Sequence, residues 1–362
     1  MNEMLQSRLA DRALPELMTL TNNQVVISPE DWRIRRKELL ELLSREEYGY
    51  TPAAPESVTA SIDPNGSDPY FFAGKATQEK VLLSFDTPGG TFTFPFMLAI
   101  PRAVRPAPAF VYLSFRPDFP DRYLPVEEIL DHGFAVASIC YQDVTADSAD
   151  WNGLAALYPR DEETGWGKIG MWAFAASRVM DYLLTRPEID ARRICVSGHS
   201  RLGKTALWCA AQDERFAMAV SNDSGCSGAA LSRGKNGETI EHITDRFPYW
   251  FCGNYCHWRM REHEAPFDQH MLLALIAPRR LYVSSASEDD WADPVSEFLS
   301  CVAASSAWTL HQKPGLLTPD EMPKIDQPLM EGTICYHVRT GTHFHSRTDW
   351  LHHMQCREKH HI

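Results

Sequence analysis

The chain has 362 residues, of which 44% are hydrophobic and 23% are charged, a balance typical of a globular protein that buries a core. Its formal net charge of −13 argues against nucleic acid and membranes as partners, since both attract basic surfaces. No stretch approaches the ~20 consecutive apolar residues that a membrane-spanning helix needs.

The N-terminus has neither the basic start nor the apolar core of a secretory signal peptide. This predicts a cytoplasmic protein, or a secreted one if a leader has been removed. We expect one domain over residues 1–362, with residues 1–27 as an N-terminal extension. The nine cysteines have no regular spacing, which favours buried, reduced thiols. Cys252 and Cys256 lack a second pair to complete a zinc site, so we do not predict zinc.

The first predicted helix begins at Ser28, which suits the N-cap position and is followed by proline and two acidic residues. Leucines at helical spacing continue the pattern to about Tyr48. Two segments with alternating polarity, 80–86 and 91–100, come next and are separated by a Pro-Gly-Gly sequence. They predict a pair of antiparallel strands.

From Ala109 onward, continuous apolar segments alternate with helical ones. The predicted strands are 109–115, 134–141, 194–197, 216–221 and 281–285, and the main predicted helices are 168–185 and 204–212. This alternation predicts a mainly parallel sheet covered by helices on both faces, a three-layer α/β architecture with antiparallel strands at the N-terminal edge. Ligands bind such sheets at the carboxyl ends of the strands.

A candidate nucleophile follows the strand at 194–197, where residues 192–204 read RRICVSGHSRLGK. A strand, a sharp turn that contains serine and then a helix form a nucleophile elbow, which exposes the Ser200 hydroxyl beside the N–H groups of the helix N-terminus. The second glycine falls one place later than in the usual G-x-S-x-G. A phosphate-binding turn, or a plain connection in which Ser200 caps the helix, gives the same pattern.

His343 follows a predicted strand at 334–338, which is where α/β-hydrolases place their catalytic base. His345 is a nearby alternative, whereas we expect His352 and His353 to lie on a solvated terminal helix. The chain has 14 histidines, so this position is weak evidence by itself.

Two aspartates are candidates for the acid that orients this base, since each follows a predicted strand. Asp223 comes two residues after the strand at 216–221, and Asp289 follows the strand at 281–285. Acidic residues after strands are also common as helix caps, which is an alternative role for Asp290 and Asp293.

The segment 198–204, GHSRLGK, resembles the hallmark G-C-S-R-x-G-K of the glucuronoyl esterases, carbohydrate esterase family 15, with histidine in place of cysteine as in the bacterial branch. The resemblance extends from about Trp32 to Trp350. Further similar segments, in the family's order, are EYGYTP at 47–52, FPYWF at 247–251, FDQH at 267–270, WADP at 291–294 and GTH at 341–343.

This resemblance implies an α/β-hydrolase fold with Ser200 as the nucleophile and His343 as the base. It implies that Arg201 helps to hold the oxyanion, for which the alternative is a surface salt bridge. The family places its acid after either of two strands, and we favour Asp289, with Asp223 in support. 

The resemblance also assigns three residues to a sugar pocket, namely Lys204, Glu238 and Trp291. The alternatives are a solvated loop charge for Glu238 and core packing for Trp291.

The implied activity is hydrolysis of esters of glucuronic acid, above all of the 4-O-methyl-glucuronate of glucuronoxylan esterified to lignin alcohols. This reaction needs no metal and no organic cofactor. Within hydrolases, the alternative is an acetylxylan esterase or another carbohydrate acyl esterase. A peptidase is less favoured, because the charged sugar-pocket residues have no use there. The alternative that is not an enzyme is a non-catalytic carbohydrate-binding relative.

Overall fold

In a computed structural model, which describes residues 3–319 and 321–362, nine strands form one mixed sheet. The strands are β1 (Thr59–Asp68), β2 (Ala76–Thr87), β3 (Gly90–Pro101), β4 (Ala107–Ser114), β5 (Ala135–Cys140), β6 (Ile189–His199), β7 (Met218–Asn222), β8 (Arg280–Ala286) and β9 (Ile334–Arg339). Their order across the sheet is β1-β2-β3-β5-β4-β6-β7-β8-β9.

The first three strands form the antiparallel edge, since β1 pairs with β2, β2 with β3 and β3 with β5 in antiparallel fashion. All pairs from β5 through β4 and β6 to β9 are parallel. The predicted mixed sheet is therefore confirmed. Strand β1 was not predicted, because its sequence TASIDPNGSD is mostly polar and lies exposed at the sheet edge.

Eleven α-helices lie within the described ranges 3–319 and 321–362. They are α1 (Glu3–Ala10), α2 (Pro29–Leu43), α3 (Val126–Asp131), α4 (Tyr141–Val144), α5 (Lys168–Leu183), α6 (Arg201–Gln212), α7 (Ile240–Arg246), α8 (Gln269–Ala274), α9 (Pro294–Ala304), α10 (Ser306–Thr309) and α11 (Arg347–Lys359). A π-helical turn, Ser44–Tyr48, extends α2, and the 3₁₀ turns are Gly153–Leu157, Pro248–Trp250, Gly253–Trp258 and Glu262–Glu264. Ser28 caps α2 as predicted, in a reciprocal capping box with Asp31.

The sheet is apolar on both faces, because helices cover each of them. On β4, Ala109 and Val111 face a core that contains residues of α5 and α6. Their neighbours Phe110 and Tyr112 face a second core with Trp350 of α11. Successive side chains of a strand point to opposite faces, so burial on both faces explains why this strand is continuously apolar.

The N-terminal extension packs against the rest of the chain over its described part, 3–27, while Met1 and Asn2 lie outside the described residues. Arg12 Nη1 donates a hydrogen bond to Ser296 Oγ at 3.1 Å, and Arg35 Nε donates one to the Leu17 carbonyl at 2.9 Å. Across the described residues, every helix is too short or too polar to traverse a lipid bilayer.

The parallel strands place four chain segments at one edge of the sheet. In the register, His199 at the end of β6 pairs with Asn222 at the end of β7. Strands β8 and β9 end together, with Ala286 paired to Arg339. The residues after these strands therefore meet in space, although they lie far apart in sequence.

We predict that Gly198→Ala lowers the free energy of unfolding by ~1–3 kcal/mol, the usual cost of overpacking a close contact. A Cβ atom at this position would lie 2.1 Å from the Leu202 carbonyl oxygen, which belongs to the backbone and cannot rotate away. The matched control is Gly170→Ala in α5, where the nearest atom, Trp166 Cβ, is 3.5 Å away. Urea unfolding of both variants tests the prediction, and equal stability of the two would contradict it.

Candidate active site

The turn at Ser200 joins β6 directly to α6. Ser200 has a φ of 57° and a ψ of −127°, a conformation that is rare for a residue with a side chain. Its N–H donates to the Asn222 carbonyl at 2.8 Å, and its own carbonyl accepts from the N–H of Gly203 at 2.8 Å. The first N–H groups of a helix have no partners within the helix, so α6 presents free donors beside this hydroxyl.

A cavity of about 300 Å³ lies at this edge of the sheet. It is lined by every residue that the sequence predicted for the site, namely Ser200, Arg201, Lys204, Asp223, Glu238, Asp289, Trp291 and His343. The sequence interpretation did not single out the other lining residues individually, and these are Ser224, Gly225, Arg246, Phe247, Trp250 and Ala292.

His343 is hydrogen-bonded to Asp289, with 2.6 Å between Nδ1 and Oδ2. The Asp289 side chain is buried, whereas the imidazole is 44% exposed. The other carboxylate oxygen, Oδ1, accepts from the Ala292 N–H at 3.2 Å, which fixes the orientation of the carboxylate. A bond at Nδ1 leaves Nε2 as the ring nitrogen that can exchange a proton with another group.

Asp223 lies in the same cluster, since one carboxylate oxygen of each aspartate and one ring nitrogen of His343 are within 4.8 Å of one another. Among the described residues, however, neither oxygen of Asp223 has a hydrogen-bond partner. Its nearest cation is Arg339, at 3.6 Å. Burial, together with the neighbouring carboxylates, raises the pKa of Asp223 well above its usual value. Because Asp289 is hydrogen-bonded to His343 and Asp223 is not, the geometry favours Asp289 as the acid that orients the base.

His199 lies beside His343, with 4.5 Å between the ring centroids. It stands where the motif that residues 198–204 resemble has cysteine, and its Nδ1 is 2.7 Å from the Asn222 Oδ1. Burial and the adjacent His343 lower the pKa of His199 well below its usual value. A neutral His199 adds no charge repulsion when His343 becomes protonated.

The alternative base His345 does not line the cavity. It is buried against Trp350, with 4.8 Å between the ring centroids, and burial lowers its pKa to about 4. The expectation that His353 is solvated is wrong, because it is fully buried and its Nε2 lies 3.1 Å from Ser284 Oγ. Trp350 and Met354 pack the same side of α11 into the second core, which the sequence alone did not indicate.

The Arg201 guanidinium lines the cavity and pairs with the largely buried Asp147 through Nη1. It lies over the Trp250 ring at 4.7 Å, and Trp250 Nε1 donates to Asp147 at 2.7 Å. The Nε of Arg201 is buried and has no hydrogen-bond partner among the described residues. A buried donor without a hydrogen-bond partner costs free energy.

The three predicted sugar-pocket residues lie on adjoining parts of the wall. Lys204 Nζ donates to the Ser224 carbonyl and lies 3.9 Å from Glu238 Oε2. The Glu238 N–H donates to the Trp291 carbonyl at 3.0 Å. The Glu238 side chain is only 14% exposed, so it is not a solvated loop charge. Trp291 is 51% exposed, which excludes core packing and places it at the cavity rim.

Sequence reasoning missed Arg339, which holds the segment that carries His343. Its Nη2 donates to the carbonyls of Thr342, at 3.0 Å, and Phe344. Its Nε donates to Asp349 at 2.8 Å. The only signal in the sequence was an arginine at the end of an apolar strand, which is ordinarily a solvated charge.

Glu297 of α9 was also missed, and it lies behind the cavity wall. It is fully buried, with Oε1 accepting from the Gly225 N–H at 2.8 Å and Oε2 accepting from Ser285 Oγ at 2.5 Å. Burial raises the pKa of Glu297 to about 7.

The comparisons with known proteins agree with this fold. The sequence model of the family described as glucuronyl esterase, fungi, matches residues 84–311. The chain is 32% identical to carbohydrate esterase MZ0003 from an unknown prokaryotic organism, over 95% of this chain and 89% of the relative. It is 30% identical to the 4-O-methyl-glucuronoyl methylesterase of Hypocrea jecorina, over 82% of this chain and 61% of that protein.

Solved structures give the same result. The glucuronoyl esterase from Solibacter usitatus superposes with a TM-score of 0.87 at 35% identity, over 95% of this chain and 97% of that one. A promiscuous CE15 esterase from a marine bacterial metagenome has a TM-score of 0.87 at 32% identity, over 96% and 97% of the two chains.

A mostly parallel sheet with a serine turn after β6 and an aspartate–histidine pair after β8 and β9 defines the α/β-hydrolase class, and this protein is a carboxylic ester hydrolase. More narrowly, it belongs to carbohydrate esterase family 15, the glucuronoyl esterases, and is of the bacterial type.

We predict that Glu297→Gln changes how stability depends on pH. The pKa of this carboxyl is about 7 in the folded state and near 4.5 when unfolded, so the folded protein holds the proton more tightly. The resulting stabilisation is full below pH 4.5 and is lost as the pH rises through about 7. The variant should therefore lose less stability over this interval, by a difference of the order of a few kcal/mol. Urea unfolding at several pH values measures it, and Glu288→Gln, an exposed site, is the control.

Proposed function

We propose that this protein is a serine esterase that hydrolyses esters of glucuronic acid through an acyl-enzyme on Ser200. The observation that carries the proposal is the 2.6 Å hydrogen bond between Asp289 and His343 in the cavity that Ser200 also lines. A nucleophile, a base and an acid that fixes the base at one cavity are what acyl transfer requires.

In the first half-reaction, His343 takes the proton of the Ser200 hydroxyl as the oxygen attacks the C6 carbonyl of the uronate ester. Asp289 holds the imidazole through Nδ1 and stabilises the imidazolium that forms. The alcohol then leaves with the proton from His343. Water repeats the sequence on the acyl-enzyme, and free glucuronate and the starting hydroxyl result.

The oxyanion of each tetrahedral intermediate would be held by the N-terminus of α6 and by Arg201. The first N–H groups of that helix follow Ser200 directly, and the helix dipole favours negative charge there. Arg201 contributes its guanidinium, since this residue lines the cavity. Its pairing with Asp147 fixes the guanidinium. Donors of this kind typically supply ~3–4 kcal/mol of transition-state stabilisation each.

The sugar would bind between Lys204, Glu238 and Trp291. A cation and a carboxylate 3.9 Å apart offer both donors and acceptors to hydroxyl groups, and the exposed indole offers a flat apolar face to a pyranose ring. The name of the Hypocrea jecorina relative, a 4-O-methyl-glucuronoyl methylesterase, supports 4-O-methyl-glucuronate as the acyl group. We propose glucuronoxylan fragments esterified to lignin alcohols as the natural substrate.

We predict turnover of benzyl glucuronate and little or none of acetylated xylan. The reason is that Lys204 and Glu238 line the cavity and offer hydrogen bonds to a sugar ring in the acyl group of the ester. Glucuronate contains such a ring, whereas acetate does not. Release of benzyl alcohol and of acetate measures the two activities, and Ser200→Ala is the control for both. Faster release of acetate would favour an acetyl esterase. Failure of a fluorophosphonate to label Ser200 would favour a non-catalytic carbohydrate-binding protein.

We predict that Asp289→Asn lowers kcat by ~10⁴-fold, because the amide no longer fixes the imidazole tautomer or stabilises its charge. Asp223→Asn is the matched control, since it makes the same isosteric change within the same cluster. It should lower kcat far less, because the Asp223 carboxyl makes no hydrogen bond to His343 among the described contacts. Steady-state kinetics on benzyl glucuronate test both, and the reverse order would assign the acid to Asp223.

A further inference from the structure

Two cysteines meet at the end of the sheet opposite to the active site. All nine cysteines are free thiols, but Cys335 and Cys356 have sulfur atoms only 3.0 Å apart. Cys335 is the second residue of β9, and Cys356 lies in the last turns of α11. Both side chains are fully buried in the second core.

The pair closes a structural unit that carries the proposed base. Strand β9, the connecting segment with His343 and helix α11 follow one another in the chain. The contact between Cys335 and Cys356 joins the start of β9 to the end of α11, on the side away from His343. A covalent bond here would therefore restrict the separation of α11 from β9 without entering the cavity.

The local charges favour reactivity at one of the two sulfurs. A hydrogen bond from Cys335 and the cations Arg280, Arg357 and Lys359 lower the pKa of Cys356. The pKa of the Cys335 thiol is raised, by that same hydrogen bond and by burial. Cys356 is thus the more acidic thiol of the pair, and thiolates rather than thiols attack disulfides.

A metal site is the rival interpretation, because a ring nitrogen of His360 lies within 4.8 Å of both sulfurs. Tetrahedral zinc holds thiolate sulfurs at about 2.3 Å, which would require the two sulfur atoms to move apart to roughly 3.8 Å. A disulfide instead needs them to approach to about 2.0 Å. Three protein donors surrounded by cations make a weaker case for a metal than the close sulfur pair makes for a disulfide.

We propose that Cys335 and Cys356 form a reversible disulfide when the protein meets a low-molecular-weight disulfide such as oxidised glutathione. The Cys356 thiolate attacks one sulfur of the small disulfide, forms a mixed disulfide and releases the first small thiolate. The Cys335 sulfur, losing its proton, then attacks Cys356 and releases the second. Two protein thiols are oxidised, one small disulfide is reduced to two thiols, and the two protons pass to these products. Because both sulfurs are buried, the step proceeds when the last turn of α11 opens locally.

The test is a non-reducing peptide map of the full chain after incubation with oxidised glutathione or with a reductant, followed by alkylation in denaturant. Trypsin places Cys335 in peptide 325–339 and Cys356 in peptide 348–357, and each peptide contains one cysteine. We expect these two peptides to be linked only in the oxidised sample. We also expect the oxidised protein to unfold at a temperature higher by about 5 °C, since the bond restricts the unfolded chain.

Variants separate this pair from the other cysteines. Cys356→Ser should abolish the difference in unfolding temperature between the oxidised and reduced protein, whereas Cys301→Ser, at a buried cysteine of α9, should retain it. The peptide map of the unchanged protein decides the matter even if a variant does not fold. Complete alkylation of both thiols after oxidation would overturn the proposal. So would a glutathione mixed disulfide that persists on Cys356, or one zinc ion per chain whose removal by a chelator frees both thiols.

Discussion

The close approach of strand β6 to helix α6 is the constraint on which the proposed chemistry depends. Only a residue without a Cβ fits at Gly198, because the Leu202 carbonyl occupies the space that a side chain would need. Because strand and helix approach so closely, the chain reverses its direction at Ser200, which adopts a positive φ. The strain is balanced by the hydrogen bond from its N–H to Asn222 and by the packing of α6 on the sheet. A nucleophile at this position is held by backbone geometry rather than by its own side-chain contacts.

Burial and hydrogen bonding then give different properties to three acidic side chains that the sequence does not distinguish. Asp223, Asp289 and Glu297 all lie at or behind the same wall, and three ionised carboxylates in so small a region would repel one another. Burial raises the pKa values of Asp223 and Glu297, while Asp289 has His343 as a hydrogen-bonded partner. Of these three carboxyl groups, Asp289 is thus the one that is hydrogen-bonded to the proposed base, His343.

The segment that carries His343 is held from inside the protein. Arg339 donates to the backbone on both sides of this histidine, and Asp349 at the start of α11 holds the guanidinium. The exposed imidazole therefore sits on a segment whose backbone is anchored. The thiol pair at the far end of the same unit would add a covalent restraint in an oxidising environment, where a fixed α11 would keep this segment in place.

The sequence by itself determined the parallel strands, the β2–β3 hairpin and the main helices, because these depend on local patterns, whereas it did not reveal the exposed strand β1. The family resemblance added Lys204, Glu238 and Trp291 to the predicted cavity wall. Apolar runs mark strands covered on both faces, and the serine turn has a recognisable spacing. The tertiary structure decided which acid meets His343, that His345 and His353 are buried, and that Arg339, Glu297 and Asp147 support the site. These outcomes rest on contacts between residues far apart in the chain. Burial and pairing, which set the charge of each group, exist only once the strands have brought those residues together.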